Sequence, residues 1–175
     1  MRQVPFVGDV VGALISRRMA VARMALQKLA QELEALGNEL NALHLTIVDR
    51  PNADSALTDD LESTVLDMLG LLPETLVHAH RAMGAIGPPL DLQLLRRSLA
   101  ACQTGCQQIE NRFGSVYSRS KFREFATLAN TRRGEWVPWV NRALQAVDQC
   151  REAMSRVGNA MTVCWQETAE FDGKS

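Results

Sequence analysis

Apolar residues recur at alternating steps of three and four along the first third of the chain. The series runs through Ile15, Met19, Ala22, Leu26, Leu29, Leu33, Leu36, Leu40, Leu43 and Ile47. A heptad of this kind places one continuous apolar stripe on a helix. It predicts a helix from about Gly8 to Val48, with Gly12 and Gly37 as weak points. Pro51 and the turn-forming residues around it end that helix.

A second helix is predicted to begin at Ser55 or Thr58, since either residue can cap a helix and acids follow in the first turn. Its apolar face consists of Leu57, Leu61, Val65, Met68 and Leu72. Pro73 is expected to break or kink the helix, because proline removes a backbone hydrogen bond and clashes with the preceding turn. A short continuation from Glu74 to Ile86 then ends at Gly87-Pro88-Pro89.

The second half of the chain repeats the three-four step. A third helix is predicted to start near Asp91, with a seam of Leu92, Leu95, Leu99, Cys102, Cys106, Ile109, Phe113 and Val116. A short connecting helix near residues 120–130 carries Phe122, Phe125 and Leu128. The last long helix tolerates Pro138 in its first turn. Its seam is Trp136, Val140, Ala143, Val147, Cys150, Met154, Val157, Met161 and Cys164.

These elements predict an all-α fold, an antiparallel bundle of about four long helices that cross at shallow angles. We expect one domain over residues 1–175, with an N-terminal segment (1–16) able to move and a tail (171–175) that frays. Hydrophobic residues make up 46% of the chain, which is enough for a core without disulfides or metal. Aromatic residues make up only 5%, which argues against a sheet protein.

Charge is unevenly distributed although the formal net charge is only −1. Residues 1–28 contain five basic residues and one acid, residues 29–67 contain nine acids and one base, and residues 112–133 contain six bases and one acid. With no global positive field we expect no nucleic-acid partner. No segment reaches the roughly 18 consecutive apolar residues that a transmembrane helix needs. We therefore expect a cytoplasmic protein, recruited to a membrane surface when it acts.

Four cysteines raise the question of a metal or redox site. Cys102 and Cys106 lie one helical turn apart, as a metal-binding pair can, but all four cysteines fall on seam positions of predicted helices. Free cysteine is among the most buried residue types, so core packing is the interpretation we favour. No metal or other cofactor is therefore expected.

His78 and His80 precede a small-residue turn and Gly84, in a helix that resembles the phosphoacceptor helix of histidine phosphotransfer domains. Those domains carry a Lys shortly after the acceptor His, whereas this chain has no Lys between residues 29 and 120. The alternative is a pair of ordinary, partly exposed helix histidines. Phosphotransfer through His78 or His80 stays as the third hypothesis.

Enzyme signatures are missing from the sequence. It contains no Gly-rich loop followed by Lys-Ser/Thr, no His-Glu-x-x-His and no Gly-x-Ser-x-Gly motif. The helix-one acids Glu32, Glu34 and Glu39 lie off the apolar seam and are interpreted as a solvated face. We therefore predict a non-enzymatic protein with no catalytic residues.

Two features exceed what a plain bundle requires. The run from Val4 to Ile15 is apolar and contains glycine, and Arg17-Arg18 follows it directly. This pattern suits shallow insertion into an anionic membrane, although the same apolar residues could simply continue the core. The basic segment 112–133 could contact phosphates, with a solvated region between helices as the alternative.

A family resemblance rests mainly on residues 90–157. It is carried by the run Leu95-Arg-Arg-Ser-Leu-Ala-Ala-Cys102, the basic break at Lys121-Phe122, and Trp139-Val-Asn-Arg-Ala-Leu144 with the later Cys150. This cadence resembles HeLo-type four-helix domains. That family includes the fungal cell-death HeLo domain, the N-terminal bundle of the mixed-lineage-kinase-like pseudokinase and the coiled-coil domain of helper plant immune receptors.

The resemblance implies a bundle that oligomerises on activation and permeabilises membranes in a cell-death or innate immune response. It implies membrane contact by Phe6, Val7, Val10, Val11, Leu14, Arg17 and Arg18. It implies head-group contact by Lys121, Arg123, Arg132 and Arg133. The alternative hypothesis is a helical adaptor or scaffold that docks a helix of a partner protein along an exposed seam and never touches lipid.

Overall fold

The computed structural model describes the backbone of residues 6–51 and 55–172 and the side chains of residues 12–51 and 55–171. These residues form five α-helices and no strand, so the fold is an all-α helical bundle. The helices are α1 (Phe6–Val48), α2 (Ala56–Ala85), α3 (Leu92–Val116), α4 (Arg119–Arg132) and α5 (Trp136–Ala169). A short 3-10 turn, Glu170–Asp172, follows α5.

The first helix is continuous and starts at Phe6, two residues before the predicted Gly8. Gly12 and Gly37 do not interrupt it, although each glycine costs about 1 kcal/mol relative to alanine in a helix. Burial explains the tolerance at Gly37, because the seam from Ala22 to Ile47 is fully buried, whereas Gly12 lies outside that seam at an exposed position. The prediction that Ile15 opens this seam is wrong, since Ile15 is exposed and its side chain has left the packed part of the bundle.

The second helix corrects the expected break at Pro73. Ser55 caps the helix by accepting a hydrogen bond from the backbone N–H of Thr58, and α2 then runs without interruption to Ala85. Pro73 is exposed, so its ring points to the solvent side of the helix. Buried residues on both sides of it, Leu72 and Thr75, anchor the flanking turns in the bundle and keep the helix continuous.

Side-chain caps fix the starts of the next two helices. Asp91 accepts from the backbone N–H of Leu94 at the start of α3, and Ser118 accepts from that of Lys121 at the start of α4. The short connecting helix is confirmed, and of the three residues predicted to lie on it, Phe125 and Leu128 are buried and Phe122 is half-buried. Each cap satisfies a backbone donor that the first turn of a helix leaves unpaired.

One hydrophobic cluster contains buried residues from all five helices. The helix α1 packs most extensively on α5 and α2, α2 packs on α3, and α3 meets α5 much less closely. Near one end of the bundle the indole N–H of Trp139 donates to the carbonyl of Thr46 at 2.7 Å. Near the same end Arg50, just after α1, pairs with Glu62 of α2 at 3.2 Å. The start of α5 and the start of α2 therefore lie beside the end of α1.

Candidate membrane-contact site

The first turns of α1 extend past the helices that pack against it. Arg23 donates a hydrogen bond to the carbonyl of Ile86, the residue that caps the end of α2. Arg18 lies 3.9 Å from the carboxylate of Glu170, which follows the end of α5. From Gly12 to Arg18 every residue is exposed. We call residues 12–18 the overhang.

Apolar and basic side chains lie together on the overhang. Leu14 is 50% exposed and Ile15 is 49% exposed, and Arg17 and Arg18 follow directly. The alternative that Leu14 and Ile15 continue the core is therefore wrong. Solvent-exposed aliphatic side chains next to cations match the composition of segments that enter an anionic membrane interface. The other predicted contact residues, Phe6, Val7, Val10 and Val11, lie outside the side chains that the structure describes.

The predicted head-group residues divide into two groups on α4 and its C-cap. Arg123, Arg132 and Arg133 are exposed. Lys121 keeps only 18% of its side chain exposed and pairs with Asp60 at 3.8 Å and Glu124 at 3.1 Å. Its charge is therefore offset within the bundle, which leaves the three arginines better placed for an external phosphate.

Two of these arginines line one open cleft. Arg123 and Arg132 lie with Ser120, Thr127 and Thr131 around a space of about 700 Å³ between α4 and the start of α2. The guanidinium carbon of Arg132 also lies 5.3 Å from the ring centre of Trp136, a cation–π distance. Since Asp59 and Glu124 line the same cleft, its charge is mixed rather than uniformly positive.

The overhang and the α4 arginines lie at opposite ends of the bundle. Lys121 of α4 pairs with Asp60 near the start of α2, and the start of α2 lies beside the end of α1. Along α1, the 28 residue steps from Arg18 to Thr46 span about 42 Å at 1.5 Å per residue. One chain therefore cannot present both groups at the same end.

Glu32 lies in the interior with two basic partners, which differs from its predicted position. The acid was expected on a solvated face, but it is buried between α1 and α5. Its carboxylate accepts from Lys28 at 2.9 Å and from Arg156 at 2.9 Å. The hydrogen bond from Lys28 and that from Arg156 hold the pKa of Glu32 below its ordinary value, against the opposing effect of burial. The preceding Lys28, four residues earlier, was the only local signal of this pairing.

The cysteines are in the core, and the histidines of α2 lie at or near its surface. All four cysteines are buried and free, as the seam pattern predicts. Among the described residues, no group of three or more His, Cys, Asp or Glu side chains is arranged to hold a metal ion. His78 is half-buried and lies 3.8 Å from Glu74, whereas His80 is exposed on the same helix.

No helix within the described ranges combines the length and apolar character needed to cross a membrane. No protein-family model, curated protein or solved structure matched the chain. The overhang, the α4 arginines and the helix surfaces are therefore the features that bear on function.

Proposed function

We propose that this chain is a HeLo-like module, an antiparallel bundle of four long helices connected through α4, that self-associates and acts on anionic membranes in a cell-death or immune response. The antiparallel arrangement is supported by contacts at both ends of α1. Arg23 meets the end of α2 and Arg50 meets its start, while Glu32 and Thr46 meet successively earlier parts of α5.

The overhang is the observation that carries the membrane proposal. Entry of Leu14 and Ile15 into a lipid interface removes no side chain from the core, because both are half exposed and lie outside it. Arg17 and Arg18 lie where each could add about 1 kcal/mol of attraction to an anionic surface. A helix that extends past its neighbours can therefore insert without unfolding the bundle behind it.

Dye leakage from anionic vesicles tests the proposal, with the full chain compared with a Leu14→Ser/Ile15→Ser variant. We expect leakage by the full chain and a strong loss in the variant. Leu66→Ser is the matched control, because Leu66 is an exposed leucine on α2 that is 47% exposed. Leakage should also fall on neutral vesicles, since the arginine contribution is electrostatic.

A full chain that leaves anionic vesicles intact, or a variant as active as the full chain, would contradict the membrane proposal. A version lacking residues 1–16 extends the test to the predicted contact residues outside the described side chains. If that version and the full chain are equally inactive, membrane action is excluded for this chain.

A groove between α3 and α5 favours the adaptor as a second candidate function. It has a volume of about 320 Å³ and a mainly apolar lining that includes Leu92, Leu95, Leu99 and Trp165. The indole N–H of Trp165 is buried and, within the part of the chain that the structure describes, has no hydrogen-bond partner. A docked helix would cover the apolar lining that surrounds this indole.

Titration with a synthetic amphipathic helix of leucine heptads tests the groove. We expect the indole N–H resonance of Trp165 to shift, and the shift to disappear in Ala100→Arg, because the exposed Ala100 lines the groove. An unchanged Trp165 resonance would exclude docking in this groove. Vesicle leakage is measured separately, so the two candidate functions are distinguished by independent signals.

A further inference from the structure

The solvent face of α1 carries a second stripe, of apolar and polar residues, at heptad spacing. It runs through Leu14, Arg17, Val21, Met24, Lys28, Gln31, Ala35, Asn38, Ala42, Leu45 and Asp49, again with alternating steps of three and four. All of these residues are exposed except Ala35, which is half-buried. We call this stripe the outer seam. A heptad stripe on the outside of a bundle is a surface on which another helix can pack.

Apolar residues occupy two separate parts of the outer seam. Val21 and Met24 lie in its first half, and Met24 is 67% exposed. Leu45 lies in its second half, also 67% exposed, beside the exposed Val48. The polar residues Lys28, Gln31 and Asn38 lie between the two patches. A partner helix must therefore match two apolar patches with a polar centre.

Charge changes sign along the same helix. Among the exposed residues of α1 and the turn that follows it, the bases Arg17, Arg18 and Lys28 lie in the first half and the acids Glu34 and Asp49 in the second. Glu32 is buried against α5 and does not face a second copy. A second copy packed parallel would place bases against bases and acids against acids. A second copy packed antiparallel places the basic half of each helix against the acidic half of the other, which is the favourable arrangement.

We propose that two copies of this chain form an antiparallel dimer through the outer seam of α1. This inference deepens, and rests on, the self-association in the proposed function. Antiparallel heptads align Arg17 with Asp49 of the second copy, Val21 with Leu45, and Met24 with Ala42. Each alignment occurs twice, because a two-fold interface uses the same surface on both copies.

The dimer also resolves the separation of the two candidate surfaces. In one chain the overhang and the α4 arginines lie at opposite ends. In the antiparallel dimer each end carries the overhang of one copy and the α4 arginines of the other. Leu14 and Ile15 of one copy then share an end with Arg123 and Arg132 of the second copy. Because Arg17 pairs with Asp49 in the dimer, Arg18 and the second copy's arginines supply the positive charge at the membrane, and the membrane-contact surface is completed only by the partner.

Disulfide trapping tests the register without any membrane. Val21→Cys and Leu45→Cys are made separately, since the native cysteines are buried and both new ones are exposed. A mixture of the two variants under mild oxidation should give a cross-linked dimer, while each variant alone should not. Cross-linking of Val21→Cys with itself would show a parallel dimer, and no cross-link in the mixture would show no dimer in this register; either result overturns the proposal.

Charge reversal tests the role of the Arg17–Asp49 alignment by sedimentation across the micromolar range. Asp49→Arg and Arg17→Asp should each weaken the dimer about tenfold. The double variant should restore much of the affinity, because the pair is re-formed with opposite polarity. Leu45→Glu should also dissociate the dimer, whereas Leu66→Glu, on the surface of α2, should not. Equal effects of Leu45→Glu and Leu66→Glu would contradict the assigned surface.

The dimer and the membrane function can fail separately. Loss of leakage in Leu14→Ser/Ile15→Ser, together with cross-linking of Val21→Cys to Leu45→Cys, would support both the membrane function and the dimer. Normal cross-linking with no leakage by the full chain would keep the dimer and remove the membrane function. Leakage unaffected by Asp49→Arg would show that the partner's arginines are not needed at the membrane, which overturns the completed-surface part of the inference.

Discussion

Gly105 of α3 and Thr75 of α2 lie closer together than any residue with a side chain at position 105 would allow. A Cβ atom on Gly105 would lie 2.1 Å from Oγ1 of Thr75 and 3.0 Å from its Cβ and Cγ2. The Thr75 hydroxyl donates a hydrogen bond to the carbonyl of Leu71 at 2.8 Å, and Thr75 is buried. The close packing of α2 on α3 therefore depends on the missing side chain.

Gly105→Ala should lower the free energy of unfolding by about 1–3 kcal/mol, even though alanine is the better helix former. The added methyl must displace a buried, hydrogen-bonded threonine or move one helix away from the other. Urea denaturation measures the effect. The control is Gly114→Ala on the same helix, where nothing lies within 4 Å of the new methyl and stability should not fall.

Thr75→Ala should partly rescue Gly105→Ala, because it removes Oγ1 and Cγ2 of Thr75. These are two of the three atoms that lie closest to the added methyl. The double variant should therefore be less destabilised than the sum of the two single variants. Simple additivity in this double-mutant cycle would show that the contact between Gly105 and Thr75 is not the cause of the destabilisation.

Glu32→Gln should destabilise the protein at neutral pH by about 1–2 kcal/mol, the range for hydrogen bonds to a charged group when its partners are partly exposed. The pKa of folded Glu32 lies below the ordinary value of 4.5. The carboxylate therefore contributes its full stability above pH 4.5, and loses it as the pH falls through the lower folded pKa.

Urea denaturation of both proteins at a series of pH values checks this. The difference between wild type and Glu32→Gln should be constant above pH 4.5 and shrink below it. Glu34→Gln, at an exposed position on the same helix, should show little difference at any pH. A difference for Glu32→Gln that does not vary with pH would argue against an ionised, paired carboxylate.

The four thiols should react slowly with an alkylating reagent in the folded protein and all react in denaturant. Burial raises the pKa of Cys150 and of Cys164 to about 12, so their reactive thiolate is scarce near neutral pH. A hydrogen bond from Cys102 lowers the pKa of Cys106. Cys106 is also 8% exposed, whereas the other three cysteines are fully buried. Cys106 should therefore be modified first, as mass spectrometry would show; fast modification of Cys150 would contradict its placement in the core.

Arg133→Gly should stabilise the protein by about 0.5–1 kcal/mol. Arg133 caps the end of α4 with φ 52° and ψ −156°, a conformation that favours glycine over residues with a side chain. Arg132→Gly is the matched control, one residue earlier and inside the helix, and it should destabilise instead. Thermal unfolding compares the two, and destabilisation by both would argue against backbone strain at Arg133.

Much of the fold was predictable because heptad spacing is a local property. A three-four step marks one face of a helix whatever lies beside it, so the seam of α3 and the burial of all four cysteines followed from the sequence. The expected break at Pro73 did not occur, because buried residues on both sides of the proline hold the two parts of the helix in the bundle. The prediction for Glu32 also failed, because its second partner, Arg156, lies far away in sequence.

The sequence by itself determined which residues can form helices and which face of each helix is apolar. It also determined that a mainly basic first half of α1 is followed by an acidic second half. Only the tertiary structure decided at which residue the apolar face of α1 ceases to be covered by neighbouring helices. Ile15 and Leu26 belong to the same seam in sequence, yet one is exposed and the other fully buried. The physical reason is that burial depends on how far the neighbouring helices extend, and the ends of α2 and α5 leave the start of α1 without cover.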